Sequence, residues 1–275
     1  MSNQTISVIM GIYNCADTLP EAIESILAQT YPDWELILCD DCSSDGTYAV
    51  AESYANKYPG KILLLRNEVN SWLAYSLNRC LELASGEYVA RMDGDDRSLP
   101  DRFEKQLSYL RAHPEVDLVG TAMQRFSSRG IADIDRKPEH PDRFTLRTTV
   151  PFNHATILTY RRIYDALGGY TVAERTNRGQ DYDLWFRFFH AGFSGANMQE
   201  PLYLVREDLD AIKRRSFKVR WNAFKTTRYG YRLLGYPKWW IIRPAVSMVF
   251  KSLVPYRLIA VYRNWQKMRF ERKNR

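Results

Sequence analysis

At 275 residues, with 45% hydrophobic and 26% charged residues, the chain can bury a sizeable core and is globular in composition, which excludes a disordered or fibrous protein. Its formal charge of +7 conceals an asymmetry: from Lys213 onward there are 18 Lys or Arg against one acid, Glu271, which leaves 21 against 31 upstream. An acidic body with a basic tail confines any polyanionic partner to the tail.

The first five residues carry no basic group ahead of the apolar run that follows, so no secretory leader is expected. Cys15, Cys39, Cys42 and Cys80 are accordingly expected to be reduced, in a cytosol. Cys39 and Cys42 flank Asp40-Asp41 at a strand end and have no second pair to complete a zinc site, so their spacing is read as incidental.

In chain order, residues 7–13 form an apolar strand ended by Asn14, and Asp17 to Glu21 start a helix with Pro20 in its first turn. Residues 34–39 form a second strand ending at Asp40-Asp41, and Ser43 to Thr47 is turn chemistry leading into a helix that runs to about Tyr58. A third strand (61–66), a third helix (71–84, on Leu73, Leu77 and Leu81) and a fourth strand (87–92) follow. Continuous apolar strands alternating with helices predict an α/β fold with a parallel sheet covered on both faces.

The fourth strand runs straight into Asp93, Asp95 and Asp96, three carboxylates within four residues. Like charges that close need a counter-cation, and oxygen ligands at Asp-x-Asp spacing suit Mg²⁺ or Mn²⁺, which completes its coordination with water and substrate phosphate. A solvated acidic turn is the alternative. Against it, Tyr13, Asp40-Asp41 and the 93–96 cluster all fall at the carboxyl ends of the predicted strands, where open α/β sheets bind ligands.

Further along, Pro100 to Phe103 opens a helix ending near His113-Pro114, residues 116–122 form a strand, and 127–141 reads as a long polar loop, either beside the active site or a passive insertion. Residues 151–158 read as a strand entered by Asn153-His154, followed by a short helix ending at Gly168-Gly169. Gln180-Asp181 then opens a helix with Leu184, Trp185 and Phe188 on its apolar face; taken alone, Asp181 is a favourable first-turn acid.

Four stretches together resemble glycosyltransferase family 2 enzymes of the GT-A fold: SVIMGIYN at 7–14, LCDDCSSDGT at 38–47, SGEYVARMDGDD at 85–96 and QDYDLW at 180–185. Each alone is weak, but their order over residues 5 to about 206 is specific. The resemblance implies a catalytic domain over 1–210, with a nucleotide-sugar half (1–98) and an acceptor half (99–210). It implies that Tyr13 stacks near a uracil, that Asp41 bonds the base, and that Asp93 and Asp95 meet ribose and metal, with Mn²⁺ or Mg²⁺ as cofactor. Asp181 would be the catalytic base of an inverting transfer, and His154, Gln180 and Trp185 are candidate acceptor or donor contacts. A lone His such as His154 is also read as a satisfied structural residue. The chemistry matches the residues available: an acceptor hydroxyl needs a carboxylate to take its proton, and a departing diphosphate needs its charge held. The chain departs from the family at Gly11, where Pro is more frequent, at Gln180, where Glu is common, and at Trp72, where Gly is usual. A nucleotide-binding adaptor without turnover is the rival that Trp72 and Gln180 favour. A dinucleotide oxidoreductase lacks its Gly-x-Gly-x-x-Gly after the first strand.

In the tail (211–275), Val246, Val249, Phe250 and Leu253 fall on one helical face, and Leu258, Val261, Tyr262 and Trp265 repeat the pattern. Uncharged stretches here are far shorter than the roughly 20 residues a helix needs to cross a bilayer. Trp239 and Trp240 beside Lys238 and Arg243 fit an anchor at an anionic membrane surface. The alternative is that these faces pack as ordinary helices; no nucleic-acid motif accompanies the charge. The sequence thus leads to transfer from a nucleotide sugar, UDP-linked by expectation, to a lipid-linked saccharide acceptor in bacterial surface polysaccharide synthesis. The expected location is cytoplasmic, peripheral at the inner face of the plasma membrane.

Overall fold

The computed structural model describes residues 5–127, 130–206 and 217–253, and the chain divides into two units, Met1–Glu207 and Asp208–Arg275. In the first unit, β1 (Ile6–Ile12), β2 (Trp34–Asp40), β3 (Ile62–Arg66) and β4 (Tyr88–Arg91) pair in parallel in the order β3-β2-β1-β4. β1 is apolar at both parities because both of its faces are covered. Ile6, Val8, Met10 and Ile12 share one core with Ile23 and Ile26 of α1 (Leu19–Leu27) and with Phe103, Leu107 and Leu110 of α4 (Arg102–Ala112). The opposite face takes α3 (Trp72–Leu83). The fit there is close enough that a Cβ at Gly11 would lie 2.7 Å from Leu73 Cδ1. α2 (Thr47–Lys57) packs on β2 and β3.

Beyond β4 the sheet turns mixed. β8 (Leu158–Tyr160) is antiparallel to β4 and to β6 (Leu118–Ser127); β9 (Gly195–Arg206) runs parallel to β6, and β5 (Arg97–Ser98) pairs antiparallel with β9. This is the α/β, mostly parallel arrangement expected, with α5 (Arg161–Leu167) and α6 (Gln180–His190) completing the body.

Three expectations are corrected. The predicted loop at 127–141 contains β7 (Gly130–Asp135), which forms an antiparallel hairpin with a β6 longer than predicted. β7 is mostly solvent-facing, so it lacks the apolar alternation that marks a half-buried strand; it is held by ladder pairs such as Met123 with Asp135 and by cross-strand ion pairs of Arg125 with Asp133 and Asp135. The predicted strand at 151–158 shrinks to Leu158–Tyr160, because His154–Thr156 is a 3-10 turn whose Thr156 Oγ1 donates to the carbonyls of Asn153 (2.9 Å) and Thr121 (3.2 Å). The long strand β9 was not anticipated: Pro201 and two register shifts interrupt its pattern.

The second unit is a helical hairpin. α7 (Phe217–Leu233) ends at Gly235 (φ +68°) and packs on a 3-10 turn (Lys238–Ile241) and on α8 (Ile242–Leu253). α8 begins four residues before the first residue of the predicted face, with Pro244 in its first turn, where its missing N–H is no loss. Ile242, Val246, Val249 and Phe250 are exposed along α8, as is Trp239 before it. Leu258, Val261, Tyr262 and Trp265 lie outside the described residues.

Candidate active site

The register of the parallel strands brings three loops to one sheet edge: Gly11 and Ile12 lie beside Cys39 and Asp40 in the ladder, and Asn67 N–H bonds the Asp40 carbonyl at 2.8 Å. All three non-glycine residues with positive φ among the described residues follow these strands: Asn14 (+48°), Cys42 (+60°) and Trp72 (+70°). Left-handed backbone at such residues is held only where the surroundings enforce it. Here they do so through hydrogen bonds. Asn14 N–H donates to Ser43 Oγ (3.1 Å) while Ser44 N–H donates to Asn14 Oδ1 (2.9 Å).

Asp41 is buried and organises the third loop. Its carboxylate accepts from Asn67 Nδ2 (2.7 Å) and from the backbone N–H groups of Ser71 (2.7 Å) and Trp72 (2.9 Å). Tyr13 stands exposed at the end of β1, its ring half open to solvent. The predicted nucleotide residues Tyr13 and Asp41 therefore lie at one edge, one available to stack and the other already holding the loop around it.

The acidic loop continues β4 into the same edge. Both oxygens of Asp93 are bonded by the buried Arg91 guanidinium, and Asp93 N–H donates to Tyr203 Oη on β9 at 3.1 Å. Asp96 is buried and accepts from Arg206 N–H at 2.7 Å, while Arg206 Nε reaches the Asp95 carbonyl at 2.9 Å. Glu21 anchors Arg206 and Arg97 by ion pairs. Gly94 permits the fold-back, since a Cβ there would lie 3.0 Å from Ile12 Cγ2 and 3.1 Å from Cys15 Sγ. Asp95 is left exposed, and among the described residues no cationic side chain pairs with its carboxylate.

One carboxylate oxygen from each of Asp93, Asp95 and Asp96 lies within 4.8 Å of the others. Arg91 offsets only one of the three charges: burial, with Asp93 and Asp95 adding, pushes Asp96 up to about 8, and Asp95, although its side chain reaches solvent, is raised by desolvation within the loop, with Asp93 adding. An all-oxygen set short of positive charge fits a hard divalent cation such as Mn²⁺ or Mg²⁺.

Asp181 lies in the first turn of α6. Burial raises its pKa, opposed by the Tyr182 N–H and by Arg91. Among the described residues no cation forms a salt bridge to it. Two residues on, Asp183 is the reverse case. Fully buried, it is bonded by Arg175, by Arg187 Nε (2.9 Å) and by Thr171 Oγ1 (2.6 Å), so its lone pairs are spent on structure. Gln180 is buried and folds its Oε1 onto Gly179 N–H at 3.1 Å.

His154 and Trp185 pack against each other, ring centroids 6.0 Å apart. His154 Nε2 bonds Tyr170 Oη at 2.8 Å, Tyr170 Oη bonds Tyr164 Oη at 2.8 Å, and burial, with Arg91 nearby, holds the imidazole well below its ordinary pKa. Trp185 has no exposed surface and packs against Phe152, Phe188 and His154, which removes it from the set able to touch a ligand. Sequence reasoning missed Tyr203 and Arg206, which are about 110 residues from the acids they hold and carry no local signal. Arg91 stood inside a quoted motif without an assigned role, and Asn67 stood outside all four.

Residues 7–167 match the profile described as Glycosyl transferase family 2. EpsE of Bacillus subtilis (strain 168), named as a glycosyltransferase, is 51% identical over 216 residues, covering 78% of each chain. The Escherichia coli UDP-Glc:alpha-D-GlcNAc-diphosphoundecaprenol beta-1,3-glucosyltransferase WfgD is 37% identical over 110 residues, 40% of this chain and 42% of that one. The structure of S. aureus TarS 1-349 in complex with UDP-GlcNAc superposes with a TM-score of 0.66 at 19% identity; the match covers 83% of this chain and 65% of that one, a likeness of fold. With the family profile matched over more than half its length and a relative above 50% identity, the chain belongs to glycosyl transferase family 2.

Proposed function

We propose that the protein is an inverting glycosyltransferase that moves a sugar from a nucleotide donor, UDP-linked, to a lipid-linked saccharide in bacterial surface polysaccharide synthesis. The observation that carries this reading is the division of labour between carboxylates: a cation-poor cluster at Asp93, Asp95 and Asp96, and separately the unbridged Asp181 with its raised pKa. Asp41 and Tyr13 would take the base, and Asp93, fixed by Arg91 and Tyr203, the ribose. Asp95, with Asp96 and Asp93 beside it, would hold Mn²⁺ or Mg²⁺, which when bound neutralises diphosphate charge. The acceptor oxygen forms a bond to the anomeric carbon from the face opposite the diphosphate, the bond from that carbon to the diphosphate oxygen breaks, and the hydroxyl proton passes to Asp181. A carboxylate with a raised pKa is the stronger base for that task.

The lipid-linked acceptor is supported by the printed acceptor of WfgD and by the second unit. Residues 217–253 contain eight Lys or Arg and no acid, and α8 displays Ile242, Val246, Val249 and Phe250 to solvent. No helix among the described residues is long and apolar enough to cross a membrane. An apolar stripe on a basic helix is the pattern of an element lying in an anionic lipid surface. This supports peripheral attachment at the cytoplasmic face.

The test is a panel of UDP- and GDP-sugars with Mn²⁺ and short saccharide diphosphate lipids, with product configuration read by NMR. Transfer with inversion is expected. Retention, or donor binding with no turnover on any acceptor, overturns the reading, the latter in favour of a nucleotide-binding adaptor.

A further inference from the structure

Trp72 combines three features that no role assigned above explains. It begins α3 in a left-handed conformation (φ +70°) that a bulky side chain adopts only under constraint. Its backbone N–H is fixed by Asp41 Oδ2 (2.9 Å), beside the Ser71 N–H on Oδ1 (2.7 Å), so the carboxylate expected to meet the base also holds this turn. And its indole reaches Asn177. With the Asn177 amide oriented so that its nitrogen donates to the Ala173 carbonyl (3.0 Å), Asn177 Oδ1 accepts from Trp72 Nε1 at 3.3 Å.

Asn177 lies four residues before Asp181. Between Ala173 and α6, Thr176 Oγ1 donates to the carbonyls of Thr171 (2.7 Å) and Ala173 (2.8 Å), Gly179 N–H donates to Gln180 Oε1 (3.1 Å), and Arg175 pairs with Asp183 of α6. α3 already holds the start of this lead-in, since Tyr170 N–H donates to Asn78 Oδ1 (2.8 Å) and Asn78 Nδ2 donates to the Tyr170 carbonyl (2.9 Å); the indole adds a second tie, closer to Asp181 in sequence. A glycine would adopt φ +70° without strain and could not reach Asn177. The constrained backbone is thus the condition for holding an indole against Asn177.

We infer that Trp72 is a positioning residue that ties the nucleotide-side loop, through its indole N–H on Asn177, to the segment presenting Asp181, so that nucleotide bound at Asp41 orders the proton-accepting side. The inference rests on the glycosyltransferase reading for its consequence in rate, but the coupling itself is read without turnover. In amide hydrogen exchange on the full-length protein, UDP with Mn²⁺ slows exchange across residues 174–183 in the wild type. Trp72→Phe, which keeps a ring and the strained backbone but removes the N–H, loses that protection while binding UDP within about twofold of wild type. Its kcat falls about fivefold, the worth of one neutral hydrogen bond, and KM for donor stays put. Asn177→Ala reproduces the loss, and the double variant loses no more. Trp72→Gly melts above Trp72→Ala by about 2–4 °C because only Gly adopts this φ freely.

Protection of 174–183 by UDP that survives in Trp72→Phe overturns the inference. So does a fall in UDP affinity of tenfold or more, which would make the indole a wall of the nucleotide pocket, or an unchanged kcat with only a lowered melting temperature, which would make it a fold contact. If wild-type protection appears and vanishes with Trp72→Phe while no donor supports transfer, the tie stands and the glycosyltransferase reading fails.

Discussion

Asp181 and Asp183 share the first turn of α6 but differ in their partners, and one pair of substitutions separates the proposed base from the structural acid. Asp183→Asn keeps the size of a fully buried side chain but removes a charge that Arg175 and Arg187 share, and turns an amide nitrogen toward one of these donors. Arg187 also bonds the carbonyls of Leu167 (2.7 Å) and Gly169 (2.9 Å), so loosening it loosens the seam between α5 and α6. Each charge-assisted bond is worth about 1.5–3 kcal/mol, and removing one partner of a buried pair costs about 3–5 kcal/mol. Both arginines keep some solvent contact, with 21% and 15% of their side chains exposed, so the lower end applies. For a body of this size about 3 kcal/mol lowers Tm by about 6–12 °C. Calorimetric or fluorescence melts of Asp183→Asn should show that drop, whereas Asp181→Asn should melt within about 2 °C of wild type, since it removes a charge with no ion-pair partner. Asp183→Asn melting like wild type, or Asp181→Asn losing several degrees, would refute the assignment of structural and chemical roles.

Asp95→Ala should abolish the Mn²⁺ enhancement of UDP affinity in calorimetry run with and without metal, and an unchanged enhancement removes Asp95 from the metal site. Below about pH 8 Asp96 holds a proton in the metal-free protein, which a bound cation must displace. Mn²⁺ affinity should therefore strengthen by up to about tenfold per pH unit as pH rises toward 8 and then level off; a flat profile from pH 6 to 8 contradicts the clustered, cation-poor geometry. The full chain should float with anionic vesicles and be released by salt, and a chain ending near residue 208 should not float, because attraction between charges is screened within about 8–10 Å at ordinary ionic strength. Equal flotation would move the membrane role to the body.

The parallel half of the fold was legible because its signal is local. Strands buried on both faces read as unbroken apolar runs, and each ends at polar residues that the ladder then aligns. The 93–96 cluster was legible for the same reason, its three carboxylates falling within four residues after β4. What stayed hidden depends on distant partners. β7 is an exposed edge whose composition is that of a loop, and only its ladder with β6 makes it a strand. Tyr203 and Arg206 have roles only because β9 runs beside β6 and delivers them to the acidic loop. Trp185 looked available because helical periodicity shows that a residue lies on an apolar face but not how deeply that face is buried; here Phe152 and Phe188 close over it. Trp72 was visible as a departure, but its left-handed backbone and its reach to Asn177 follow from Asp41 and the 173–179 segment, far apart in sequence.

The central claim is that Asp181 is the proton acceptor for a sugar transfer whose donor binds elsewhere along the same edge. Its most direct test is Asp181→Asn with donor titration and transfer rate measured on one preparation. Donor affinity should stay within about twofold of wild type while transfer falls by about 10²-fold or more, and the acidic limb of the wild-type pH–rate profile, displaced above the ordinary carboxylate value of 3.8, should disappear with it. Near-wild-type transfer by Asp181→Asn, or a loss of transfer matched by an equal loss of donor affinity, would contradict the account.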